Sequence, residues 1–426
     1  MTPIDWTKAL SAVSASAMRM LWQRNGRPWV LGPPQRDLQF PPGQKVGLYL
    51  HVPFCRQLCA FCPYVKFPWT PLAGEGTKDA MIREIQLRGQ QHPLLALSSV
   101  YIGGGTPILF LPWLEEILES LSHFFVLPKA RGIELHPEDM DRSTLNALHS
   151  LGFDRISVGV QSFWDHHIRR LDRNPLDAAS RIEEARKAGF HAVNVDLLLG
   201  LSEQTPDELQ QDVRLAFERG ATQISTYPFI RFSGHASSPH GLPARRQNLL
   251  FEALLEITRD LGLERHGVWT FALPRTPLYT SVTRPLFLGI GPSAVSLDVT
   301  QLTFNTFSLS TYREQLLQGE LPTTYALPLT PRMRQMLWVF WQAYQLSLPS
   351  GSFLELFDRP LKQVFSRDLS LAQRLGCLRA TETGYTVTER GAKIFHHLEQ
   401  AFTHHYIDRV WQASQQDPLP KSLRLF

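Results

Sequence analysis

Cys55, Cys59 and Cys62 stand within eight positions in "HVPFCRQLCAFCPY", residues 51–64, and the chain has one other cysteine, Cys377. Three thiolates at C-x3-C-x2-C spacing can take three corners of a cubic [4Fe–4S] cluster, because a compact loop gathers its sulfurs on one face. The fourth iron is then open to a small-molecule ligand. A Cys3His zinc site completed by His51 is the competing reading; the C-x3-C spacing and the following "GGGTP" count against it. Buried, unreactive thiols are the plainest alternative, and Cys377 in "RLGCLRA" reads that way, as a small buried hydrophobe. So few cysteines make no disulfide framework and fit a reducing compartment. Histidine pairs at 166/167, 396/397 and 404/405 invite a metal or heme reading, the last two on one predicted helix. No cysteine or carboxylate pattern surrounds them, so partly exposed helix histidines are the expectation.

Short apolar runs alternate with amphipathic helical patterns: "VGLYLHV", "SSVYIGGG", "GIELH", "RISVGVQSF", "AVNVDLLLGL" and "TQISTYPFI" each precede a helix. Six such repeats, roughly thirty residues apart, signal parallel βα units. They fall short of an eight-fold barrel, so the fold expected is α/β, an open partial (β/α)6 barrel. In such sheets the chemistry gathers at the C-terminal ends of the strands. Cys55 follows the first strand, Gly103, Gly104 and Gly105 the second, Glu134 and His136 end the third, Gln161 ends the fourth and Asp196 lies on the fifth.

Around this core, residues 1–44 read as an N-terminal extension whose "GPPQRDLQFPPGQ" is a loop or linker. The barrel and a C-terminal strand extension take 45–325, and residues 326–426 change to helices with a short strand-turn pair, a small winged-helix-like cap. With 43 basic against 39 acidic residues and no run of like charge, nothing suggests a nucleic-acid partner. No signal peptide or membrane span is read, so a cytoplasmic location is expected.

"YLHVPFCRQLCAFCPY" resembles the signature of the radical S-adenosylmethionine (radical SAM) enzymes, in their branch similar to oxygen-independent coproporphyrinogen III oxidase (coproporphyrinogen dehydrogenase). The likeness continues through "YIGGGTP", "IELHPE", "RISVGVQSF", "LDRN", "VDLLLGL" and "GIGPSAVS", about residues 46 to 315. It implies a [4Fe–4S] cluster on Cys55, Cys59 and Cys62 with one S-adenosylmethionine bound at the open iron, and for part of the family a second, separate copy. It implies that Tyr49 touches the cosubstrate and that Phe61 packs near adenine, where plain core filling is the alternative. Gly104, Gly105 and Thr106, with Gly103, would let the backbone approach the methionine end. Glu134, Gln161, Arg173 and Asp196 would contact the cosubstrate, Arg173 by pairing with its carboxylate. The substrate implied is a small molecule, a tetrapyrrole such as coproporphyrinogen III, with a flavodoxin or ferredoxin as electron donor and a monomeric enzyme. Two other activities share the core: methyltransferases and cyclopropanases that use two S-adenosylmethionine molecules, and heme-binding chaperones. Pro63 and Tyr64 follow the third cysteine where the oxidases carry Gly-Cys.

Overall fold

In "AVNVDLLL", Val193, Val195, Leu197 and Leu199 are fully buried on one face, while Asn194, Asp196 and Leu198 turn to the other. Successive strand residues point to opposite faces, so a strand covered by helices on one side and lining a lumen on the other needs this mixture. The same arrangement recurs along six parallel strands: β1 (Val46–Val52), β2 (Leu95–Gly104), β3 (Arg131–Leu135), β4 (Arg155–Gln161), β5 (Ala192–Leu199) and β6 (Gln223–Pro228). The computed structural model describes residues 29–59, 61–62, 64–229, 242–277 and 284–425.

The strands lie side by side in chain order, each parallel to the next. Helices α1 (Pro71–Gln91), α2 (Leu114–Phe124), α3 (Arg142–Ser150), α4 (Asp165–Arg170), α5 (Ala178–Lys187), α6 (Pro206–Glu218) and α7 (Ala244–Asp260) connect or follow them. Local chemistry sets several of the starts. Thr70, Asp141 and Asp177 accept hydrogen bonds from first-turn amides of α1, α3 and α5, and Thr205 with Glu208 forms a reciprocal capping box on α6. The six expected βα units are all present, and their strands run in the open order the sequence suggests.

Beyond β1 the sheet continues with β7 (Phe287–Ile290), parallel to β1, and then antiparallel β8 (Val295–Leu297), β9 (Gln301–Asn305) and β10 (Thr323–Pro328). Buried Glu84 of α1 pins this extension: it accepts hydrogen bonds from the Gly291 amide, Asn305 Nδ2 and the Tyr312 hydroxyl at 2.7–2.9 Å, and pairs with Arg88 at 3.5 Å. A carboxylate is tolerated there only because these donors replace its lost water.

After β10 come α8 (Pro331–Tyr344), a three-stranded antiparallel sheet of Ser347–Pro349, Gly384–Val387 and Leu378–Thr381, and α9 (Glu389–Ser414). Trp338, Leu348, Phe353, Leu361, Phe365 and Leu369 form a core of their own in this region. Phe340 and Phe402 instead pack with Phe304 and Tyr325 of the strand extension. The N-terminal segment is more than a linker where it is described. Val30–Leu31 pairs with Leu423–Arg424, and Trp29 and Leu31 are buried in that shared core, because their apolar side chains outweigh the turn-forming neighbourhood.

Candidate active site

The cysteine loop springs from the C-terminal end of β1. Phe54–Cys55 pairs with Phe67–Pro68, the Trp69 amide donates to the Cys55 carbonyl at 3.0 Å, and the Cys62 amide reaches the Cys59 carbonyl at 3.4 Å. The three thiols are thus held in one small, half-buried loop; Ala60 and Pro63 lie outside the described residues. Burial pushes the Cys55 thiol up to about 11, and it raises Cys62 as well, although Lys66 and Arg173 pull the latter the other way. Burial alone therefore keeps Cys55 and Cys62 protonated at neutral pH, whereas a bound metal centre ionises its thiol ligands outright. A soft three-thiolate set of this kind fits a [4Fe–4S] cluster.

The triple glycine lies beside it. The Gly105 amide donates to the Val52 carbonyl at 2.8 Å and the Thr106 amide to the Phe54 carbonyl at 2.6 Å, while the Thr106 hydroxyl bonds the Cys55 thiol. A Cβ on Gly105 would stand 2.8 Å from Cys55 Sγ, and Gly104, at φ +117°, would bring one within 2.8 Å of the His51 ring. These glycines thus first admit the cysteine loop and His51, a closeness that only a residue without Cβ allows. Glu134, projecting from β3, would meet a Cβ on Gly103 at 2.8 Å. Its two oxygens accept from the Tyr101 hydroxyl and the Gly104 amide, both at 2.9 Å. Burial raises the Glu134 carboxyl and those two donors oppose the rise. Tyr101 stacks on Tyr49, whose hydroxyl lies 3.2 Å from His51 Nδ1. His51 is buried, and burial pushes it down to about 4 against a hydrogen bond with the Val65 backbone.

Across the lumen, Asp196 accepts from Ser157 Oγ at 2.8 Å and from Asn194 Nδ2 at 2.9 Å. Burial nevertheless pushes its carboxyl up to about 7, with Glu134 acting in the same direction. Gln161 ends β4 at φ +72°, where the register against β5 shifts. A non-glycine residue in that region costs about 1–3 kcal/mol, a strain that gathers at functional sites. Arg173 donates to the Gly159 carbonyl at 2.7 Å, reaches Cys59 Sγ at 3.5 Å and lies over the Phe61 ring at 5.3 Å. Its fork is thus partly committed to the chain, which leaves one edge for an anion. Phe61 packs on Leu171, Leu198, Leu201 and Phe229, so core filling is part of its work.

Above the rim Tyr64 is 55% exposed and Tyr227 41%, yet the surrounding protein pushes both hydroxyls up, Tyr64 through burial first and then Cys62, Glu134, Glu399 and Asp196. Tyr344 of α8 and Glu399 of α9 are buried, and Glu399 pushes the Tyr64 and Tyr344 hydroxyls up. Glu399 is itself held by Trp269 Nε1 at 2.8 Å.

Tyr49, Glu134, Gln161, Arg173 and Asp196 therefore meet the cysteine loop and the glycines at one rim. His136 is half-buried next to them, pushed down to about 3 by burial and by Arg173 and Arg56. Three expectations are corrected. Cys377 is only half-buried, because it sits in the connection between a helix and the small sheet. His396 is not a surface histidine but is packed on Trp269 at 3.9 Å and Phe251 at 4.2 Å between ring centroids. His166 and His167 do meet a carboxylate, Glu208, forty-one residues beyond His167. The sequence reading also missed Tyr101, and it took His51 only as a zinc ligand. Both lie on the lumen face of their strands at the period-two positions of Tyr49 and Gly103, the signal that could have found them.

A family model described as the radical SAM superfamily matches residues 49–216. The chain is 28% identical over 320 residues to the anaerobic coproporphyrinogen III oxidase 1 of Cereibacter sphaeroides, covering 66% of this chain and 68% of that protein. It is 32% identical over 203 residues to the heme chaperone HemW of Mycobacterium tuberculosis, but this spans 46% of the chain and about half, 52%, of the relative. In structure it is similar to the coproporphyrinogen III oxidase HemN of Escherichia coli, with TM-score 0.75 and 22% identity across 89% of this chain and 98% of that one. Among the described residues no helix is long and apolar enough to cross a membrane.

Proposed function

We propose that this chain, a member of the radical SAM superfamily through residues 49–216, is an enzyme that abstracts hydrogen from a tetrapyrrole and oxidatively decarboxylates propionates of the coproporphyrinogen III type. The observation that carries the radical half is the meeting of three thiols, the 103–105 glycines and Glu134 at one strand rim. Cys55, Cys59 and Cys62 would hold the [4Fe–4S] cluster, which when bound supplies one electron to S-adenosylmethionine, releasing methionine and a 5′-deoxyadenosyl radical. The protein's part is placement. Gly104, Gly105 and Thr106 would pass close to the methionine end, Glu134 would orient it through Gly104, and Arg173 would pair with its carboxylate. Tyr49, Phe61, Gln161 and Asp196 would bound the rest of the cosubstrate. Electrons would come from a flavodoxin- or ferredoxin-type donor.

The relatives named coproporphyrinogen oxidases, matched over two thirds of the chain, support the substrate. A second reading is methyl transfer with a second S-adenosylmethionine. It is favoured by Asp196, which stands on β5 at the same strand rim and does not pair with a propionate. One anaerobic incubation with coproporphyrinogen III, dithionite and S-adenosylmethionine, followed by mass spectrometry, separates them. Loss of carboxyl groups without S-adenosylhomocysteine is the expected result. S-adenosylhomocysteine beside unchanged coproporphyrinogen would replace it with methyl transfer, and stoichiometric heme binding without turnover would replace both with a chaperone.

A further inference from the structure

We propose that His166, His167 and Glu208 form a binding site for a divalent transition-metal ion, zinc fitting best, at the seam between α4 and α6. The two histidines follow one another on α4, and Glu208 stands in the first turn of α6. Glu208 Oε1 lies 3.2 Å from His166 Nε2, and Oε2 lies 3.4 Å from His167 Nε2. All three ligand atoms fall within 4.8 Å of one another. Charge-assisted hydrogen bonds close to about 2.7–2.9 Å, and these contacts are longer. Each is near the separation of two ligands that share one zinc ion at ~2.0–2.1 Å.

His167 is buried and its Nε2 faces Glu208 Oε2, while its Nδ1 has no partner among the described atoms. The Thr205 amide and hydroxyl donate to Glu208 Oε2 and hold the carboxylate in place. Two imidazoles and one carboxylate leave a fourth position for water, the pattern of an open, exchangeable zinc site, and a set that iron(II) occupies too, so zinc is added after excess iron is removed. Such an ion would tie α4 to α6. The residues that follow α4 are buried Leu171 and then Arg173, which touches Cys59, so the ion would steady the turn that carries Arg173 to the cysteine loop.

The test uses the full chain, anaerobically reconstituted with iron and sulfide, freed of excess iron, then titrated with zinc chloride, desalted and analysed for both metals. His166 is half-exposed, so His166→Ala keeps the packing. The wild type should retain about one zinc more per chain than His166→Ala, with at least tenfold tighter binding, a higher melting temperature in zinc and equal iron in the two proteins. No zinc on the wild type, or a change in affinity below tenfold, would overturn the site.

Discussion

Cys55→Ala, Cys59→Ala and Cys62→Ala are each expected to hold only background iron after anaerobic reconstitution, whereas Cys377→Ala holds the wild-type complement, about four irons and four sulfides per chain. The reason is geometric. The three thiols share one loop between β1 and α1, enclosed by Gly105, Thr106 and Arg173, so none has a substitute within reach. Cys377 sits beside the small C-terminal sheet, where its carbonyl accepts from the Thr388 amide. Iron analysis and the brown absorbance read the result directly. Bleaching by Cys377→Ala would show that a fourth thiol ligates the cluster and would remove the open iron on which the radical chemistry depends.

Glu134→Ala is expected to weaken S-adenosylmethionine binding to the iron-replete protein at least tenfold, with iron content unchanged. The substitution takes the acceptor from the Tyr101 hydroxyl and the Gly104 amide together. Leaving the Gly104 amide unpaired costs about 1–3 kcal/mol, and the glycine strand that Glu134 anchors is the one proposed to approach the methionine end. Glu134→Gln keeps one acceptor oxygen and should fall between the two proteins. Equilibrium dialysis under anaerobic conditions measures all three, and undiminished affinity in Glu134→Ala would contradict the role given to the carboxylate.

The alternation that placed Cys55, Gly103, Glu134, Gln161 and Asp196 at strand ends was legible because a parallel sheet repeats one pattern: apolar run, loop, amphipathic helix. Roles set by a partner distant in the chain were not. The glycines were read as room for a cosubstrate, but a Cβ on them would strike the Phe54 and Val52 carbonyls, Cys55, His51 and Glu134, contacts that appear only when the strands lie side by side. Arg173 was read as a partner for the cosubstrate's carboxylate, and the fold spends part of its guanidinium on Gly159 and Cys59. His396 looked like one of a surface pair because its own helix shows no partner; Trp269, which buries it, lies 127 positions away. The pairing of His166 and His167 with Glu208 was hidden in the same way, since the helix cap at Thr205 accounts for Glu208 locally.

The most direct test of the central claim is whether the reduced, iron-replete chain cleaves S-adenosylmethionine at all. Incubated anaerobically with dithionite and S-adenosylmethionine and no substrate, it should release 5′-deoxyadenosine slowly, detected by mass spectrometry, and the three cysteine variants should release none. An intact, reducible cluster that forms no 5′-deoxyadenosine would contradict the account.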